Sequence, residues 1–214
     1  MIAKLSSQQS DFESKLSALL AWESVSNKQV AETVDEIISS IRTGGDKSLV
    51  DYSVKFDNVK ADSLADLTIS NADIENAYKT LRDSERNALD VAAERIKQYH
   101  QKQKQKTWTY TEEDGSVLGQ KITPLDRVGL YVPGGKATYP SSVLMNAIPA
   151  KVAGVEELTM VVPTPNGQIS QLVLAAAFIS GINKVFTIGG AQAVAALAYG
   201  TESVPKVDKI VGPG

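Results

Sequence analysis

Residues 127–162 read RVGLYVPGGKATYPSSVLMNAIPAKVAGVEELTMVV, and the alternation inside that stretch decides the fold. A short apolar, β-branched run, RVGLYV (127–132), leads into a Gly/Pro loop and an apolar helical segment over 141–155. A second run, ELTMVV (157–162), follows at once. The unit repeats: a helical segment over 168–180, the run KVFTI (184–188), another helical segment over 191–199, and finally DKIV (208–211). The runs start 24–30 residues apart, the length of a strand plus its covering helix. Strands that are apolar on both sides and separated by helices predict a parallel sheet buried on both faces. A Rossmann-like half-sheet is the architecture that satisfies this pattern.

Each predicted strand ends in a loop of Gly and Pro: PGGKATYPSS (133–142), PTPNG (163–167), GGAQA (189–193) and GPG (212–214). Open α/β sheets bind their ligands at that edge. Glycine there lets the backbone approach a ligand, and helix amino termini offer free N–H groups to an anion. Neither G-x-G-x-x-G nor G-x-x-x-x-G-K-[ST] occurs, so the spacing by itself predicts an α/β domain with a nucleotide or phosphate ligand and no more.

Ahead of this block the composition changes. Residues 1–126 hold 16 basic and 21 acidic side chains, against 6 and 4 in 127–214. We place a domain boundary near Asp126, with a helix-rich α+β domain over 1–126 and the Rossmann-like domain over 127–214. In the first region Val30, Val34, Ile37, Ile38 and Ile41 recur at helical spacing. Gly44-Gly45 reads as a stop, and Asp46 as the cap of a helix carrying Leu49, Val50, Val54 and Phe56. Leu67–Ile69 reads as a short strand. Asn71 is predicted to cap a helix through Ile74, Ala77, Tyr78 and Leu81, and a longer helix spans 84–103 with a polar end. Two β-rich runs flank Asp114-Gly115, which predicts a hairpin near 107–123.

The whole composition excludes several classes of function. The 214 residues carry a net charge of −3, no cysteine and one histidine. Disulfides and thiolate metal sites are therefore ruled out, as is any multi-histidine site within the chain. The charge argues against a dedicated nucleic-acid binder. No apolar run approaches the ~18 residues of a membrane span. The amino terminus lacks the apolar core of a secretory signal, and the absence of cysteine fits a reducing compartment, so a cytoplasmic protein is expected. The chain ends on a strand and a ligand-side loop with no helix after it, which reads as the amino-terminal part of a longer protein.

The ordered motifs DYSVKFD (51–57), GLYVPGG (129–135) and GGAQA followed by AALAYGTESVPKVDKIVGPG (189–193 and 195–214) resemble histidinol dehydrogenase. The resemblance covers essentially the whole chain. It implies a fold of the aldehyde-dehydrogenase-like superfamily and a zinc-dependent homodimer that oxidises L-histidinol to L-histidine through L-histidinal with two NAD. It also implies a zinc set of Gln, two His and an Asp, and a Glu-His pair for proton transfer. None of these matches a residue here, so the chain is expected to be inactive by itself. Two alternatives stand beside this reading: an enzyme of the same superfamily acting on another amino alcohol or aldehyde, and a truncated protein that only binds a nucleotide or a partner.

Five residues match family positions at the NAD pocket. Tyr131 can lie against a base or nicotinamide while its hydroxyl bonds a ribose or phosphate. Pro133 shapes the adjoining wall. Gln192 can both donate and accept through its amide. Pro213 matches another lining position, and Phe56 approaches from the other domain. Four of them have a plainer role: for Tyr131 a packed strand tyrosine, for Pro133 strand termination, for Gln192 a loop-bonded glutamine, for Phe56 a core aromatic. Gly134, Gly135, Gly189 and Gly190 read as backbone-geometry residues. His100 reads as a surface histidine and Lys136 as a solvated loop lysine. Glu202 and Asp208 give no sign of forming an acid–base pair.

Overall fold

The computed structural model describes residues 4–134 and 139–213, with the side chains of 21–27 outside the description. Gly135 and Lys136 therefore lie outside the described residues. The predicted parallel strands are β4 (Arg127–Tyr131), β5 (Glu157–Val161), β6 (Lys184–Phe186) and β7 (Lys209–Val211), preceded by β1 (Thr68–Ile69). They form one sheet in the order β1-β6-β5-β4-β7. β1 runs antiparallel to β6, and every other pairing is parallel. Counting only the parallel strands, the third, second, first and fourth lie side by side, as in half of a dinucleotide-binding sheet.

Alternate residues of each strand enter two separate cores, which is why the strands read as continuous apolar runs. Val128, Leu130, Leu158, Met160 and Val185 face one core. That face is covered by α4 (Pro140–Ala153) and α5 (Gln171–Ile179), with α2 (Asn71–Lys79) against α5 and α3 (Asp83–Gln103) against α4. Val161, Phe186 and Ile188 face the other, together with α6 (Gly190–Tyr199) and Ile37, Ile41, Leu49 and Val50 of α1 (Phe12–Asp57). The charged first region thus supplies helices to both sides of the sheet, and the cores are continuous across Asp126.

Three local expectations change. Gly44-Gly45 does not end a helix: two helical segments join at a bend where Gly45 takes φ 52° and ψ −134°, a conformation suited to glycine. Asp46 does not cap the second segment. Its carboxylate instead accepts from the Thr201 and Ser203 hydroxyls and from the Ser203 N–H, while its own N–H donates to Glu202 Oε2 at 2.8 Å. Finally, Ser70 rather than Asn71 is the N-cap of α2, accepting from the Asp73 N–H at 3.1 Å. The hairpin forms as predicted, β2 (Trp108–Thr111) against β3 (Val117–Gln120), turning at Gly115 with φ 89°.

Candidate functional site

The parallel order places β4 and β7 side by side, although β5 and β6 intervene in the chain. The chain leaves β4 for β5 on one side and comes back through α6 to β7 on the other, so the strand order reverses at β4, the point at which open α/β sheets bind ligands. Four loops meet at that edge, and glycine lets them do so. A Cβ on Gly134, after β4, would overlap the Pro163 carbonyl oxygen after β5. A Cβ on Gly189, before α6, would overlap the Pro163 ring. Pro163 is thus wedged between two loops that must carry glycine. On the far side Gly212 lies against the backbone carbonyl of Tyr131, so the loop after β7 closes onto the end of β4.

Tyr131 is the last residue of β4, half-buried, on the sheet face shared with α6. Its hydroxyl accepts from the Gly190 N–H at 3.0 Å, occupying one free donor at the start of α6. The phenol proton has no acceptor among the described residues. Gln192, in the first turn of α6, is 2% exposed, and its amide is folded back over Gly190. Pro133 is half-buried beside Gly134, and Pro213 is exposed beside Gly212. These four residues stand on the one edge.

Phe56 lies in the last turn of α1. It is 49% exposed and stacks on Tyr52 with ring centroids 5.6 Å apart, so it is a surface aromatic and not a core one. Two residues on, Asn58 takes a left-handed conformation, and its Nδ2 donates to Asn166 Oδ1 at 2.9 Å. That bond ties the end of α1 to the turn after β5. Sequence reasoning missed Pro163 and Asn166. The signal for Pro163 was present in the glycines either side of it; that for Asn166 depends on where α1 ends in space.

Other singled-out residues lie elsewhere. His100 is near the end of α3, with Nδ1 2.7 Å from Gln103 Oε1 and its ring edge-on to Tyr99. Glu202 bonds the Asp46 N–H, and Asp208 Oδ2 accepts from the Arg127 N–H at 2.9 Å, so the two acids serve separate contacts. Among the described residues no group of three or more His, Cys, Asp or Glu is placed to hold a metal. No described helix is long and apolar enough to cross a membrane.

Comparison with known proteins gives a consistent result. The family model described as histidinol dehydrogenase matches residues 20–214. The histidinol dehydrogenase of Pseudomonas savastanoi pv. phaseolicola is 62% identical over 213 residues, spanning 100% of this chain and 48% of that protein. The histidinol dehydrogenase of Pseudomonas aeruginosa is 61% identical with the same coverage. A crystal structure of histidinol dehydrogenase from Elizabethkingia anophelis superposes with a TM-score of 0.80 at 33% identity, over 86% of this chain and 42% of that one. The chain spans about half the length of the curated relatives it matches.

Proposed function

Because the chain belongs to the histidinol dehydrogenase family, we propose that it carries the dinucleotide-binding part of an NAD-dependent oxidation of L-histidinol to L-histidine by way of L-histidinal. In this reading residues 127–214 are the binding domain, and 1–126 are a helix-rich domain laid against it. The observation that carries it is the β4–β7 switch point with its four glycine-bearing loops. A dinucleotide fits there: the backbone can approach a pyrophosphate, and α6 presents its amino terminus at the same edge. NAD supplies the hydride acceptor. Tyr131 offers its ring face and a phenol proton to the ligand, Gln192 an amide, and Pro133, Pro213 and Phe56 apolar walls.

The zinc set of Gln, two His and an Asp does not fit this chain. Its one histidine, His100, is engaged near the end of α3, away from the β4–β7 switch point. The reading therefore assigns zinc, the Glu-His pair and most of the contact with L-histidinol to the half of the relatives' length that this chain does not span. It further takes the whole protein to be a cytoplasmic homodimer with no nucleic-acid or membrane partner.

Titrating NAD into the chain tests the site. We expect saturable binding that weakens about 5–150-fold in Tyr131→Ala and in Gln192→Ala, the equivalent of a lost polar contact of about 1–3 kcal/mol. Unchanged NAD affinity in both variants would remove these residues from the site.

A further inference from the structure

The turn after β5 holds the one Asn-Gly pair of the chain, Asn166-Gly167. Asparagine is a thermolabile residue, and its carboxamide is open to attack by the amide nitrogen that follows it. Glycine in that place leaves the nitrogen unshielded, because no Cβ stands beside it. Both residues are exposed, and nothing lies within 4 Å of where a Cβ on Gly167 would stand. Water therefore reaches the pair from the surface.

The fold holds the two reacting groups apart. Asn166 takes φ 59° and ψ 24°, a left-handed conformation that asparagine tolerates. At that ψ the Gly167 nitrogen lies across the Cα–C bond from the side chain, so closing a ring needs this torsion to turn. Two hydrogen bonds oppose the turn. The Gly167 N–H donates to the Thr164 carbonyl at 2.8 Å, which engages the nucleophile. Asn58 Nδ2 donates to Asn166 Oδ1 at 2.9 Å, which engages the carboxamide. The first bond lies within the turn and moves with it. The second comes from the left-handed C-cap of α1, 108 positions earlier in the chain, and fastens the turn to another element.

We infer that Asn166-Gly167 is a deamidation site whose reaction is gated by Asn58. Once the Asn58 bond opens, the Gly167 nitrogen attacks Asn166 Cγ and forms the N–Cγ bond of a succinimide. The Cγ–Nδ2 bond breaks, and Nδ2 leaves as ammonia with the proton given up by Gly167. Water then adds to one of the two ring carbonyls. Opening at the side-chain carbonyl gives aspartate, whose charge faces the carboxyl end of α1, where the macrodipole disfavours it. Opening at the backbone carbonyl gives isoaspartate, whose chain path runs through Cβ and Cγ and lengthens the turn. The reaction thus marks, and loosens, the contact that joins α1 to the turn after β5.

The test ages the full 214-residue chain in mildly alkaline buffer and reads position 166 by peptide mass mapping, with enzymatic methyl-ester labelling for isoaspartate. The variant is Asn58→Gly, which removes the donor while keeping a residue at ease in the left-handed region. Both chains are aged where their amide circular dichroism is native, and again in urea. Folded wild type is expected to deamidate at Asn166, and folded Asn58→Gly about 2–10-fold faster, the effect of losing one hydrogen bond. In urea the two chains should react equally and faster than either folded form, because local opening no longer limits them. Equal rates in the folded chains would overturn the gate, as would a gain that appears only where the variant has lost sheet signal. Deamidation spread evenly over the other asparagines, or absent from position 166 in every folded sample, would remove the site itself.

Discussion

Asp57 works against the fold, and the sign of that effect follows from its pH dependence. Its carboxyl is raised in the folded state by desolvation, so the native form holds the proton more tightly than the unfolded chain does. The contribution to stability is fully present below the unfolded pKa and is lost as the pH rises through the folded one. Asp57→Asn, which cannot ionise, should therefore be more stable than the wild type at neutral pH, with the advantage disappearing in acid. Urea unfolding at the two pH values checks this; an advantage that does not change with pH would mean the carboxyl is not desolvated. Tyr131 shows the opposite economy of position, since its hydroxyl satisfies a helix donor and still has a proton to give.

At the scale of elements, the bend in α1 is held from outside. Asp46 collects two hydroxyls and an N–H from residues 201 and 203, and Glu202 answers by accepting the Asp46 N–H. The Glu202 carboxylate also lies where a Cβ on Gly45 would stand. The bend and the loop that follows α6 are thereby held together. Asp46→Ala should cost about 1–3 kcal/mol, because the loop donors lose a charged acceptor. Chemical denaturation measures it, and a loss below about 0.5 kcal/mol would place the bend's stability in packing alone.

Much of this was readable from the chain, and what was not has a physical cause. The strands of the parallel sheet were legible because both faces are buried, which writes itself as unbroken β-branched runs. The hairpin was legible because Asp114-Gly115 encodes its own turn. The bend was not, since Gly-Gly serves a stop or a kink equally, and the choice lies with Thr201, Glu202 and Ser203 more than 150 positions away. Ser70 and Asn71 are both good caps, and only the geometry of the turn selects one. At the site, Tyr131 and Gln192 came from a family resemblance and not from their chemistry. Pro163 and Asn166 came from neither, because their places depend on how the loops and the end of α1 meet.

For the whole molecule, the proposed function separates binding from chemistry. The glycine-bearing loops meet at one edge of the sheet, whereas the described residues hold no metal-binding cluster. The chain incubated with L-histidinol, NAD and zinc should therefore yield no NADH by absorbance at 340 nm. Histidinol-dependent NADH formation by the purified chain would overturn this and require catalytic groups among the residues described. NAD binding without turnover would also be the signature of a nucleotide-binding protein, and supplying the second half of a relative in trans separates the two.

The hairpin stands apart from both cores: Trp108, Tyr110, Val117 and Leu118 are all exposed, and Trp108 stacks on Tyr110. The emission of Trp108 is thus an optical report on the hairpin. A fluorescence change that disappears in Trp108→Phe follows the hairpin, and the sheet has to be watched through its amide circular dichroism.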